Sequence, residues 1–164
     1  MTSVAMRKNE TEKGISSLGI GDLTKPFGLV LGKTRMKDLE EDFVITSTQG
    51  EGFTGGAVVQ VIQRITGDQI SDCIILAFNK EKILDAAWFT LPSADYDKAL
   101  TDLSNSFQLI DTNSPIKGSN SALFYFSGGQ IAVQSPLFSQ EMTMTYRTHA
   151  FDKARMDAAA QSYE

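Results

Sequence analysis

The sequence predicts an α+β domain, an antiparallel sheet with helices packed on one face. Three stretches predict it. Cys73 to Pro92 reads as two apolar strands around the polar turn Asn79-Lys80-Glu81-Lys82. Ala122 to Pro136 reads as a second hairpin around Ser127-Gly128-Gly129-Gln130. Between them, Pro92-Ser93 opens a helix in which Tyr96, Leu100, Leu103 and Phe107 recur on one face. Phe78 and Ile83 flank the first turn much as Phe126 and Ile131 flank the second. The chain therefore reads as two unequal helix-plus-hairpin repeats, the first carrying extra strand material between Phe43 and Cys73.

Taken in order, residues 1–25 form a polar, glycine-containing lead-in, expected to be flexible, and residues 26–164 form one α+β domain. No signal-peptide h-region is read in the lead-in. Phe27-Gly28-Leu29-Val30-Leu31 is short, apolar and extended. Thr34 is the expected N-cap of a short helix to Phe43, with Met36, Leu39 and Phe43 on its inner face. Val44-Ile45-Thr46 starts a strand, Gln49 to Gly56 is expected as a loop, and Ala57 to Ile65 is β-rich. Thr66-Gly67-Asp68 is a turn. Ser93 is the expected cap of the long helix, with Asp95 and Asp97 on the favourable side of its dipole.

Gln108 to Asp111 is a short strand, and Thr112 to Ser121 is expected as loop because it holds Pro115, Gly118 and two asparagines. A two-residue Gly128-Gly129 turn pairs Phe126 with Ile131 and Phe124 with Val133, all on the core face. Leu123, Tyr125, Ala132 and Gln134 share the other face. Glu141 to Arg147 alternates, with Met142, Met144 and Tyr146 opposite Thr143, Thr145 and Arg147. Asp152 to Gln161 is an alanine-rich terminal helix with Phe151, Ala154 and Ala158 inward. Asp85 stays awkward, since strict pairing puts it beside Leu76 and Phe78.

Composition narrows the function. Lys plus Arg is 15 against 20 Asp plus Glu, a net charge of −5. That sign disfavours a nucleic-acid backbone or an anionic membrane as main partner, although net charge does not fix the local distribution. The apolar runs are strand-sized, so no bilayer span is expected. Cys73 is the only cysteine and has no internal disulfide partner; it reads as a small buried hydrophobe.

The tempting motifs fail on context. Gly50-Glu51-Gly52-Phe53-Thr54-Gly55 matches G-x-G-x-x-G, but a β-branched run follows where a pyrophosphate-binding helix is needed. Gly32-Lys33-Thr34 lacks the glycine that a phosphate-wrapping loop requires five residues earlier, where Phe27 stands. A single histidine, His149, and a single cysteine make a nitrogen- and sulfur-rich zinc site a poor fit. Glu40, Glu41 and Asp42 are consecutive and point different ways on a helix, a solvated run. No cofactor and no catalytic set is assigned.

Two resemblances follow from these residues. Leu31-Gly32-Lys33-Thr34 with Met36 and Leu39 resembles the opening of the SmpA/OmlA-type outer-membrane assembly lipoproteins and of the β-lactamase-inhibitor-protein repeats. Over residues 26 to about 155 the chain is similar to small uncharacterised exported bacterial proteins. The motifs are Pro26 to Leu29, Thr54 to Gly56, Phe78 to Lys80, Thr90 to Pro92 and Glu141 to Tyr146. The resemblance implies a β-lactamase-inhibitor-protein-like two-layer module, periplasmic or secreted, with the cytoplasm left open.

The resulting expectation is a non-enzymatic envelope protein, inhibitor- or immunity-like, that binds another protein through an open sheet face. Trp88, Tyr125, Thr143, Thr145 and Arg147 are its candidate binding residues, since aromatics and arginine suit protein recognition. The alternative is a carrier of a small apolar ligand between sheet and helices, lined by Met142, Met144, Phe124 and Phe126. A hydrolase built around His149 ranks third.

Overall fold

The computed structural model describes residues 22–64, 74–116 and 119–161. Among the described residues eight strands follow in order: β1 (Phe43–Glu51), β2 (Gly55–Gln63), β3 (Ile74–Asn79), β4 (Leu84–Pro92), β5 (Gln108–Ile116), β6 (Ser119–Phe126), β7 (Gly129–Ser135) and β8 (Glu141–Arg147). Helix α1 (Tyr96–Ser106) follows β4 and helix α2 (His149–Gln161) follows β8. All neighbouring strands are antiparallel, in the sheet order β1-β2-β3-β4-β8-β7-β6-β5. The sheet is thus two four-stranded meanders joined where β4 lies against β8.

Period-two alternation sorts side chains onto two faces. The first face carries Val59, Val61, Leu76, Phe78, Ala87, Phe89, Phe124, Ile131, Val133, Met142, Met144 and Tyr146, all buried in one cluster. Tyr96, Ala99 and Leu103 of α1 join that cluster, as do Leu23, Leu29 and Leu39 from the chain before β1. Phe27 lies against Phe89, ring centroids 5.5 Å apart. The Tyr146 hydroxyl donates to the Leu23 carbonyl over 2.8 Å, inside the core. Leu23 is only 1% exposed, so packed chain begins before the boundary expected at residue 26. Residues 1–21, Thr66-Gly67-Asp68 and Cys73 lie outside the described residues.

The second face is partly covered as well, which corrects the expectation that the helices share one face. Phe151 of α2 packs with Ala77, Ala86, Val58 and Trp88 on the side of the sheet opposite α1. The cause is local. β3 and β4 pair in register from Ile74↔Phe89 to Ala77↔Ala86, then slip to Phe78↔Leu84. Asp85 is the extra residue of this bulge, which explains its buried position between the two faces. Its carbonyl accepts from the Thr148 N–H at 2.9 Å and its carboxylate accepts from the Thr148 hydroxyl at 3.3 Å. Thr148 in turn caps α2, its hydroxyl accepting from the Phe151 N–H at 3.1 Å. The bulge therefore fixes where α2 starts and turns it onto the second face.

Other expectations shift in detail. The short helix before β1 is a 3-10 turn, Met36–Glu41, and Thr34 does not cap it. Its hydroxyl instead accepts from the Val30 N–H, 2.8 Å away, inside the preceding turn. The β6–β7 register is Phe126↔Gly129 and Phe124↔Ile131, so the turn is Ser127-Gly128. That is a slip of two places, which leaves every side chain on its expected face. Residues 112–116 and 119–121 are strand and not loop: they belong to β5 and β6, which pair with register shifts at a sheet edge where Pro115 is tolerated. The G-x-G-x-x-G stretch is the β1–β2 hairpin end, closed by the Gly52 N–H donating to the Gly56 carbonyl at 2.8 Å, and it leads into β2.

Two measurements test this packing. A Cβ at Gly56 would collide with the Phe78 carbonyl across the β2–β3 pair. Gly56→Ala is expected to cost about 1–3 kcal/mol, read as a lower urea midpoint at unchanged slope. Tyr146 titrates well above its ordinary value because burial disfavours the phenolate, with Asp22 adding to the effect. A group raised in the fold holds its contribution below the unfolded value and loses it as pH climbs toward the folded one. Stability should therefore decline above the ordinary tyrosine value of 10.0. Tyr146→Phe should flatten that alkaline decline while lowering neutral-pH stability by about 1–3 kcal/mol, because the buried Leu23 carbonyl loses its donor.

Candidate binding face

The second face is a grid set by register. One row across the sheet reads Ala86, Arg147, Gln130, Tyr125 and Gln108. The next reads Ile75, Trp88, Thr145, Ala132 and Leu123. The third reads Thr90, Thr143, Gln134, Ser121 and Asn113.

Helix α2 occupies the first row and part of the second. The Trp88 ring meets Phe151 edge-on at 5.6 Å, and Phe151 meets Phe53 from the β1–β2 turn at the same distance. Arg147 is held from both sides. Its Nε and Nη2 donate to Gln130 Oε1 at 3.2 and 3.1 Å, and its Nε lies 3.0 Å from Asp152 Oδ1 on α2. Arg155 donates to the same Asp152 oxygen at 2.7 Å. Burial lowers the pKa of Arg147 below its ordinary value; Asp152 opposes that shift and Arg155 adds to it. The side chain serves as a strut between sheet and helix.

The five expected site residues therefore divide. Trp88, Thr145 and Arg147 are drawn under α2 or between its neighbours, with Thr145 only 8% exposed. Tyr125 stays open at 42% exposure, its ring edge-on to the exposed His149 at 6.0 Å. Thr143 is half-buried in the third row. That row is the part of the face beyond the α2 contacts, and it is polar throughout. Sequence alternation already places Gln134 there. Thr90 sits two residues after Trp88 and carries the same period-two signal, whereas Ser121 and Asn113 were hidden by reading their segment as loop.

Of the residues expected to line an apolar pocket, Met142, Met144 and Phe124 are fully buried in the packed core. Phe126 alone lines a groove, of about 670 Å³, between the end of α1, the β6–β7 turn and the chain near Lys33. Phe107, Tyr125 and Thr24 share that lining. Among the described residues no helix is long and apolar enough to cross a membrane.

The single tryptophan reports on the covered part of this face. Phe151→Ala is expected to uncover Trp88, shifting its emission to longer wavelength, and to cost about 3–5 kcal/mol if α2 stays docked. A smaller loss together with the red shift would show α2 detaching while the sheet survives.

Neither a protein-family model, nor a curated protein, nor a solved structure matches this chain, so the geometry and the residues carry the functional reading.

Proposed function

We propose that this chain is a non-enzymatic protein of the bacterial envelope that binds another protein, in the manner of an inhibitor or immunity partner. The binding surface is the part of the second sheet face that α2 leaves open. The observation that carries the reading is the polar strip Thr90, Thr143, Gln134 and Ser121, half-buried but for the exposed Gln134, running across four strands, with the exposed Tyr125 ring two rows away on β6. A flat strip of short polar side chains on paired strands loses little entropy on docking, and an exposed tyrosine supplies contact area. The envelope placement rests on the sequence resemblances. So does the reading of the two meanders as repeats of one helix-plus-strands unit, of the β-lactamase-inhibitor-protein kind.

A second reading, a carrier of a small apolar ligand, has one observation in its favour: the groove beside Phe107 and Phe126. Native mass spectrometry of the purified chain separates it from the first by showing or failing to show a retained small molecule.

The main reading is tested with a photo-crosslinking residue placed at Thr143 and, as control, at Lys98 on α1. A partner polypeptide is expected from the first position and not the second. In the purified complex, Thr143→Arg combined with Tyr125→Ala should weaken binding at least tenfold, about 1.4 kcal/mol or more. An unchanged affinity in that double variant, folded by its melting curve, removes this face from the assignment.

A further inference from the structure

The net charge conceals a separate cationic surface at the turn end of the sheet. Residues 32–36 leave a turn, run alongside the start of β4 through a single bridge, and enter the 3-10 turn Met36–Glu41. The Gly32 N–H donates to the Leu84 carbonyl at 2.8 Å, the Leu84 N–H to Thr34 at 2.8 Å, and the Met36 N–H to Lys82 at 3.0 Å. Arg35 bridges Ile83. Thr34 and Met36 are half-buried here, and Lys33, Arg35 and Lys37 are exposed. Across from them, the β3–β4 turn is pinned by Asn79, whose Oδ1 accepts from the N–H groups of Glu81 and Ile83 at 2.9 and 3.0 Å. That turn exposes Lys80 and Lys82.

Arg35, Lys37 and Lys82 line a concavity of about 250 Å³ with Met36 and Glu81. The ion pairs of the described residues use Arg147, Lys153 and Arg155, and none uses these five cations. Backbone hydrogen bonds fix the two segments side by side, so the exposed cations project from neighbouring positions, with the Asp38 carboxylate beside Arg35 as the nearby counter-charge. This is a pre-organised site for negative charge.

We propose that Arg35, Lys37 and Lys82, flanked by Lys33 and Lys80, form a docking site for a short carboxylate-rich segment of another polypeptide. Charge complementarity selects an acidic occupant. The extent of the patch selects a short one. It spans only two brief segments, on a chain whose remaining surface carries the excess of negative charge responsible for the net −5. A long polyanion or a bilayer would meet that repulsion as well as the patch. The half-buried Met36 offers an apolar floor for the methylene groups of glutamate side chains.

The site lies apart from the Thr143 strip, so it stands or falls independently of the function proposed above. The probe is a fluorescein-labelled oligoglutamate peptide, its anisotropy followed at low and at physiological ionic strength. Wild-type protein is expected to bind it, more weakly as salt rises. R35Q/K82Q should lose about tenfold or more in affinity, while K98Q/K153Q, with the same charge change, should lose less than about twofold. Thr143→Arg should leave peptide binding unchanged. Absence of binding by the wild type, or equal losses in the two double variants, overturns the proposal. Tighter, patch-dependent binding of heparin oligosaccharides or of phosphatidylglycerol vesicles than of the peptide overturns the choice of a polypeptide occupant.

Discussion

Everything in this fold depends on the antiparallel seam between β4 and β8. Seven residue pairs, from Ala86↔Arg147 to Pro92↔Glu141, join two meanders that would otherwise each end in an unpaired edge. On the core face the seam puts Ala87 opposite Tyr146 and Phe89 opposite Met144. The Tyr146 ring then stands edge-on to Phe89 at 5.7 Å and against Phe126 at 6.2 Å. Its hydroxyl reaches the Leu23 carbonyl. One side chain at the seam therefore touches both meanders and the chain before β1. Burial of that ring and satisfaction of its hydroxyl act together, because either alone would leave a cavity or an unpaired polar group at the centre of the core.

The seam also decides what the two helices do. β4 leaves it through Pro92, and α1 lies back over the first face, where Ala99 and Leu103 complete the main cluster. β8 leaves it at Arg147, one residue before the Thr148 clamp on the Asp85 bulge, and α2 lies over the second face. Two equivalent exits thus lead to opposite faces because one of them meets a bulge carrying a buried carboxylate. The consequence for the surface is subtraction: α2 half-buries Trp88 and Arg147 and leaves the polar third row and Tyr125.

Much of this was legible in the chain. Period-two alternation fixed which side chains of β6, β7 and β8 face the core, and that survived a two-place error in the β6–β7 turn, since a slip of two preserves the face. The stripe of Tyr96 and Leu103 located α1. What could not be read is what depends on a third partner. The Asp85 bulge is a one-residue slip whose reason is Thr148, far away in sequence. The placement of α2 follows from that contact, because its alanine-rich surface offers no strong apolar stripe to name the face it seeks. The β5–β6 pairing was hidden by loop-forming residues that an edge strand tolerates. Leu23 looked like part of a polar lead-in because it is one apolar residue among polar neighbours; its side chain joins the core cluster and its carbonyl accepts from Tyr146 only through long-range contacts.

Antiparallel pairing also separates the charges. In such a sheet each turn lies at one end or the other, so residues close to turns are sorted by strand direction. Lys80, Lys82 and Arg35 fall at the β3–β4 turn end. Asp95 and Glu141 fall near Pro92 at the opposite end, while Glu40 and Glu41 close the 3-10 turn that opens at Met36, between the two ends. β2 has 9 residues, so the two ends stand about 30 Å apart at ~3.4 Å per residue. Screening at physiological ionic strength acts over about 8 Å. Asp95 and Glu141 are therefore too distant to act on the turn-end cations, whereas Asp38, whose carboxylate accepts from the Arg35 N–H at 3.2 Å, and Glu81 lie among them and offset part of the local positive charge. A formal charge of −5 describes how the whole molecule drifts in a field; the strand order describes what an approaching segment meets.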